Sequence, residues 1–461
     1  MSTLLKNVRI ENDAHLSNIL VRDGKIARIT AADDSPASSA ANAPQDGTAT
    51  KNSPSGNTTV ESPSGNASVE SPSGNASVDE GATVAEGVEV RDCGGRLVLP
   101  PIVESHVHLD ATMTEGDPHP NESGTLFEGI EIWSKRKQRL TAEDVKERAL
   151  RAIRQQVRFG VQFVRSHVDV TDPNLTALRA LLELREQLRD QVTLQLVAFP
   201  QEGIDSFPNG RALMREAAQM GVDAIGAIPH FEFTREYSVS SLNFAFELAQ
   251  EFGLLMDVHC DEIDDEASRG LETLATRAYE AGVGARVTAS HTTAMHSYNN
   301  AYFVKLLRLL QLSGINFVSN PMVNTHLQGR LDTYPKRRGV TRVPELTEAG
   351  LNVSFGQDDI VDPWNPLGTG SLRDVTLFGL YVTQMMGAAQ IDGSYRFITH
   401  NGARTLNLEG YGIAEGNDAN FIVLGARSWR EALAFHAPVV ASYRRGRLLF
   451  ESTEPDRQWH M

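Results

Sequence analysis

The 461-residue chain is poor in cysteine, having only Cys93 and Cys260. Two isolated thiols exclude a disulfide framework and every zinc site built on Cys-x-x-Cys pairs, and they point to a reducing compartment. Long apolar runs are missing too: nothing approaches the roughly 18 apolar residues of a membrane-spanning helix. Between Met1 and Leu20 stand Lys6, Arg9, Glu11 and Asp13, where an export signal needs an apolar core, so a cytoplasmic location is expected. Basic charge is in deficit, with 43 Lys and Arg against 59 Asp and Glu. The net charge of −16 removes the attraction that nucleic acid or an anionic membrane surface requires, so neither is expected as a partner.

One shortage is local. From Asp33 to Glu80 there is no Leu, Ile, Phe, Met, Tyr or Trp, and Val60, Val69 and Val78 are the only branched aliphatics. Such a stretch cannot bury enough surface to offset its chain entropy. Within it a nine-residue unit recurs three times, as SPSGNTTVE from Ser53, SPSGNASVE from Ser62 and SPSGNASVD from Ser71. Asn57, Asn66 and Asn75 each open an Asn-x-Ser/Thr sequon. Without an export signal, the simpler reading is a disordered low-complexity insertion over 32–82, grown by duplication. It carries seven acids and one lysine, leaving a balance of about −10 on the rest of the chain.

Past Leu97 a rhythm appears. Eight apolar, β-branched segments predict strands: LVLPPIVESHVHLD, VQFVRSHVDV, VTLQLVAFPQEG, DAIGAIPHF, LLMDVHCDE, ARVTASHT, INFVSNPMVN and LNVSFGQDD. Amphipathic stretches between them predict helices, among them Thr141 to Phe159, Leu175 to Arg189, Ser240 to Phe252, Glu266 to Ala281 and Ala301 to Leu312. His167, Gln201, His230, His259 and His291 follow one another at gaps of 34, 29, 29 and 32 residues, the length of a βα unit. Eight alternations of strand and helix predict an α/β fold, a (β/α)8 TIM-like barrel, whose active face lies at the carboxyl ends of its strands. Those ends carry polar or titratable residues throughout, including Asn320 and Asn324 after the seventh strand.

His106 and His108 stand two apart on a strand, so their side chains share one face and can share one metal. By itself the pair is a moderate signal. His259 at the fifth strand and Asp358 at the eighth supply a third imidazole and a carboxylate. Three nitrogens and one oxygen suit one Zn²⁺ or Fe²⁺, and offer too few oxygens for Ca²⁺ or Mg²⁺. Such an ion lowers the pKa of bound water to around 7, which predicts a hydrolytic reaction. Glu262, three residues after His259, stands where a carboxyl can carry a proton to a ring nitrogen. His291 reads as a further ligand or as a donor to the developing charge. His167, His230 and His296 read as packing or supporting residues.

HVHLD, VHCDE, SHTTAMHS and FGQDD, in this order, resemble the amidohydrolase superfamily, and more narrowly the bacterial-type cytosine deaminases. SGTLFEGIE, RSHVDV, VAFPQEGI, GAIPHFEFTREYS, NPMVNTHLQGR, DTYPKRRG and DDIVDPWNPLG extend the likeness from Leu97 to Gly412. The resemblance implies hydrolysis of cytosine to uracil and ammonia in pyrimidine salvage, a free nucleobase as substrate, and a homo-oligomer. It implies His106, His108, His259 and Asp358 as metal ligands. Glu262 becomes the acid that protonates the ring, Asp358 the carrier of the water proton, and His291 the assistant to the attacking hydroxide. Gln201 would hold the cytosine carbonyl and ring N–H, aided by the backbone at Leu126, with Asp359 and Trp364 bordering the pocket. Binuclear relatives bridge two metals with a carboxylated lysine at the fourth strand. No lysine lies between Lys146 and Lys305, which implies a single metal.

The family pattern also implies a small β-sandwich from both chain ends. The expected division is 1–31 and 83–99 for its first part, 100–404 for the barrel and 405–461 for its second part. One departure stands out. Gln357 replaces the usual histidine before Asp358, expected to alter the rim of the pocket and to leave isoguanine, 5-methylcytosine or creatinine as alternative substrates.

Overall fold

The computed structural model describes residues 2–32 and 88–452. The repeats, the three sequons and all but the first residue of the insertion expected at 32–82 lie outside the described residues.

Five strands precede the barrel: β1 (Ser2–Ile10), β2 (Ser17–Arg22), β3 (Lys25–Ala31), β4 (Val88–Asp92) and β5 (Leu97–Leu99). The barrel strands are β6 (Ile102–Val107), β7 (Val161–Asp169), β8 (Thr193–Phe199), β9 (Ala224–Ile225), β10 (Leu255–Cys260), β11 (Val287–His291), β12 (Asn316–Ser319) and β13 (Asn352–Phe355). They pair in sequential order and all in parallel. The strands β14 (Phe421–Leu424), β15 (Val439–Arg444) and β16 (Arg447–Glu451) return to the first sheet. Helices cover the barrel between its strands, including Ala142–Arg158, Thr176–Leu188, Arg235–Phe252, Gly270–Ala281 and Asn300–Ser313. Every residue of β6, β10, β11, β12 and β13 is buried, because helices cover one face and the packed lumen the other.

The first predicted strand divides in two. Leu97–Leu99 pairs with β1 and β14 in the end sheet, and Ile102–Val107 opens the barrel. Pro100 and Pro101 between them have no N–H for a ladder. The fourth predicted strand shrinks to Ala224–Ile225: a Cβ on Gly226 would stand 2.9 Å from the Ala198 carbonyl, and Pro229 opens a 3₁₀ turn. Two helix starts also moved. Thr234 caps the helix Arg235–Phe252 by accepting from the Tyr237 N–H, five residues ahead of the expected start. Asp261 accepts from the N–H groups of Gly270 and Leu271, which fixes the next helix start at Gly270.

Among the described residues the end sheet comprises eight strands. β1 pairs with β2 and β4 through its first half and with β5 near its end, and the register breaks at Asn7, whose φ is +55°. Bending there folds the sheet over one core containing Leu5, Val8, Ile19, Val21 and Ile26 from the N-terminal strands and Phe421, Val423 and Tyr443 from the C-terminal ones. The division expected at 404/405 falls within the helix His400–Thr405.

Candidate active site and metal centre

The barrel seam brings the two ends of the catalytic chain together. β6 and β13 meet at a parallel bridge between Val107 and Asp358. The Asp358 N–H donates to the His106 carbonyl at 2.8 Å, and the His108 N–H donates to the Asp358 carbonyl at 3.0 Å. Glu104 clamps the same seam, since its carboxylate accepts from the N–H groups of His106 at 3.1 Å and Gln357 at 3.0 Å. Burial pushes the Glu104 carboxyl up to about 8. Residues some 250 positions apart are thus registered by the act of closing the barrel.

Around that seam the donors converge. His108 Nε2 stands 3.1 Å from His259 Nε2, and Asp358 Oδ1 lies 3.2 Å from His106 Nε2 and 3.4 Å from His108 Nε2. Donors held at 2.0–2.1 Å around one tetrahedral ion stand about 3.4 Å apart, so these spacings fit a shared cation. His106 Nε2 is buried and has no hydrogen-bond partner among the described residues. Burial, followed by the charge of neighbouring imidazoles, holds His259 well below its ordinary pKa, in the neutral form a ligand needs. Burial raises Asp358, but the His291 and His106 imidazoles outweigh it and hold the carboxylate ionised. The residues therefore fit a divalent metal. His291 belongs to the same cluster: with His106, His259 and Asp358 it offers ligand atoms all within 4.8 Å of one another.

Backbone strain aims these groups. His291 and Asp358 have φ of +66° and +68°, a left-handed conformation that side-chain-bearing residues adopt only when the surroundings enforce it. His291 Nδ1 lies 3.2 Å from Glu262 Oε1 and 3.8 Å from Asp358 Oδ2. Asn324 Nδ2 stands 3.2 Å from Glu262 Oε1 and 3.0 Å from His291 Nδ1, so one amide orients both. Burial, then the charge of Asp358, pushes Glu262 well above the carboxylate range, toward its protonated form. His230 accepts the Glu262 N–H on Nδ1, and burial lowers its pKa to about 3, so it supports this loop as a neutral ring.

His108, Leu126, Gln201, His259, Glu262, His291, Asp358, Asp359 and Trp364 all line one cavity, and Val323 and Leu327 complete its wall. Its interior is narrow, with about 20 Å³ open to the centre of a water-sized sphere. Gln201 is a buried residue on the wall of this cavity. The Trp364 indole donates to the Leu126 carbonyl at 3.2 Å and so joins two walls. Burial and the adjacent Asp362 push Asp359 well up, toward a protonated and donating carboxyl.

Gln357 stands behind the rim. It does not border the cavity. Its amide donates to the Asp359 carbonyl at 3.2 Å and accepts the Gly370 N–H at 3.1 Å, bracing the loop behind the rim. His167 lies beneath the cluster with its ring 4.0 Å from that of His106, and His296 joins a polar group with Asp264 and Arg337, outside the cavity lining.

Residues 89–450 match the Amidohydrolase family. The chain belongs to the amidohydrolase family. It is 30% identical over 365 residues to N-isopropylammelide isopropyl amidohydrolase of Pseudomonas sp. (strain ADP), covering 78% of this chain and 87% of that protein. A pterin deaminase of Rhizobium rhizogenes is 26% identical over 370 residues, covering 78% of this chain and 82% of that protein. The crystal structure of a 5-methylcytosine deaminase from Klebsiella pneumoniae, liganded with 5-fluorocytosine, superposes with a TM-score of 0.86 at 46% identity, covering 100% of this chain and 99% of that one.

In this amidohydrolase, several site residues escape a reading confined to strand ends. Val323 and Leu327 lie on the short helix Pro321–Leu327 after β12, where an apolar residue has no signature of its own. Phe199 stacks on the His259 ring with centroids 3.9 Å apart. Arg165 and Asp257 sit two residues before His167 and His259, and the two-residue strand period would have placed them in the lumen. Lys137 is buried and bonds Asp169 at 3.1 Å and Thr171 at 2.7 Å, with Glu202 as a further partner, tying the turn after helix Leu126–Arg136 to two strand ends. Lys137→Met should leave Asp169 a buried, unpaired charge and cost about 3 kcal/mol, measured as a lowered midpoint in chemical denaturation.

Proposed function

We propose that this amidohydrolase deaminates a free 4-aminopyrimidine base, cytosine or 5-methylcytosine, to the corresponding 4-oxo base and ammonia. The observation that carries the reading is the cavity: a narrow space bounded by the Gln201 amide, by Glu262, whose carboxyl burial and the charge of Asp358 push well above its ordinary range, and by the apolar walls of Trp364, Val323 and Leu327. A flat, uncharged pyrimidine asks for such an arrangement of one bidentate amide, apolar faces and a proton source.

His106, His108, His259 and Asp358 would hold one Zn²⁺ or Fe²⁺, with His291 beside them. When bound, the ion supplies Lewis acidity that brings the pKa of water to near 7. Gln201 holds the ring carbonyl and N–H, and Asp359 and Trp364 keep the base in plane. Glu262 gives its proton to N3, which makes C4 electrophilic. The first proton of water passes to Asp358 and on to the departing amino group. The second, released as the C4–O bond becomes a carbonyl, restores the Glu262 carboxyl. His291, 3.8 Å from Asp358 Oδ2, steadies the oxygen as it attacks.

Cytosine is what the resemblance of the sequence motifs implies. The 5-methyl derivative has its own support in the 46% identical structure, named for that substrate. Ammonia release from cytosine, 5-methylcytosine, isoguanine and creatinine, on a preparation of known metal content, tests both. The expected result is a kcat/KM for at least one of the two pyrimidines far above the other amines. Turnover of isoguanine or creatinine with neither pyrimidine accepted would overturn the reading.

A further inference from the structure

Beneath the donor cluster, fully buried side chains from four strands form a line of hydrogen bonds across the lumen. Arg165 of β7 donates through Nη1 to Asp257 Oδ2 of β10 at 2.9 Å. Ser290 of β11 donates through Oγ to Asp257 Oδ1 at 2.7 Å. His106 of β6 places Nδ1 3.0 Å from Ser290 Oγ. Arg165 is anchored below by the Thr405 carbonyl at 3.0 Å and the Gln195 amide oxygen, so this line runs from the floor of the barrel to the donor layer.

Counting protons gives the line a direction. Asp257 accepts on both oxygens, from the Arg165 guanidinium at Oδ2 and from the Ser290 hydroxyl at Oδ1. A hydroxyl has a single proton, and that of Ser290 is committed to Asp257. Toward His106, Ser290 can therefore only accept. His106 must carry its proton on Nδ1, which leaves the lone pair on Nε2, the atom 3.2 Å from Asp358 Oδ1.

We infer that Arg165, Asp257 and Ser290 are positioning residues that set the tautomer of His106, holding it as the Nδ1–H imidazole whose Nε2 can take a metal. Outer partners of this kind orient ligating histidines in metal sites generally. Here the carboxylate acts through a hydroxyl, and a cation at the far end keeps the direction from reversing. His167, packed against His106, has no hydrogen bond on either ring nitrogen among the described residues and does not compete for Nδ1.

The inference rests on the ligand set proposed above. Two substitutions separate direction from mere contact. Ser290→Ala removes the acceptor and leaves His106 free to choose either tautomer. Asp257→Asn does more: its amide oxygen faces Arg165, its NH₂ donates to Ser290, and the serine proton turns toward His106 Nδ1. That imposes the tautomer whose Nε2 carries the proton. The full-length protein is stripped with a chelator and titrated with Co²⁺, following the visible absorption of the bound ion. Ser290→Ala should bind about 10–100-fold more weakly than wild type, and Asp257→Asn more weakly still. Nitrogen-15 shifts of the stripped wild type should show His106 protonated at Nδ1, a readout that packing alone does not set.

Binding by Asp257→Asn at wild-type strength, or tighter than by Ser290→Ala, would overturn the relay. So would an Nε2-protonated His106 in wild type, and this decides the matter if Asp257→Asn does not fold. Failure of wild-type protein to bind Co²⁺ at all would instead overturn the ligand set and the relay with it.

Discussion

Glu262→Gln should retain fold and metal yet lose about 10²–10⁴-fold in kcat, the range a positioned acid or base contributes. Glutamine keeps the size of the side chain and an oxygen for the Asn324 amide at 3.2 Å, so the geometry survives. What disappears is the transferable proton. Burial and the charge of Asp358 push Glu262 well above its ordinary range, which keeps that proton available. Steady-state kinetics beside metal analysis checks the result. Near-wild-type turnover would remove Glu262 from the proposed chemistry, whereas loss of metal would make it a structural support of the site.

His108→Ala is expected to act at an earlier stage. Its Nε2 stands 3.1 Å from His259 Nε2 and 3.4 Å from Asp358 Oδ1, so its removal opens one corner of the donor set. Metal affinity should fall by more than the roughly 10–100-fold that loss of an outer contact produces. Turnover should fall with it, and the rise in thermal midpoint on adding metal should shrink, because an ion stabilises only the state that binds it. Elemental analysis after gel filtration reads the occupancy. One full equivalent of metal in the variant would show that His108 is not a ligand. Because the two substitutions fail at different steps, proton transfer and metal retention can be told apart in one experimental series.

Much of the site was legible because barrels place their chemistry at one end of every strand. His106, His108, His259, His291 and Asp358 could be picked out as titratable residues ending apolar segments, and all of them now lie around one point. Glu262, read from its place three residues after His259, and Gln201, Leu126, Asp359 and Trp364, carried over from the family pattern, line the same cavity. Less legible were residues whose significance depends on a neighbour far away in the chain. Gln357 was expected to alter the rim of the pocket, but the way its side chain braces the Asp359 to Gly370 loop was not readable from its position beside Asp358. Asn324 was visible as a polar residue after a strand, but its hold on both Glu262 and His291 is a matter of distance across the lumen.

Composition and periodicity by themselves determined the alternating α/β architecture, the exclusion of cysteine-rich metal sites, and the residue types able to hold a metal and move protons. They could do so because burial imposes its pattern residue by residue along each strand and helix. Tertiary structure decided the rest. Closing the seam between β6 and β13 set His106 and His108 against Asp358, and the surrounding fold forced His291 and Asp358 into their left-handed backbone conformation. Arg165, Asp257, Ser290 and His106 acquired a common direction of hydrogen bonding only when four strands brought them within 3.0 Å of their partners. The physical reason is the same in each case: hydrogen-bond direction and side-chain aim belong to pairs of residues distant in sequence, and no local pattern encodes a pair.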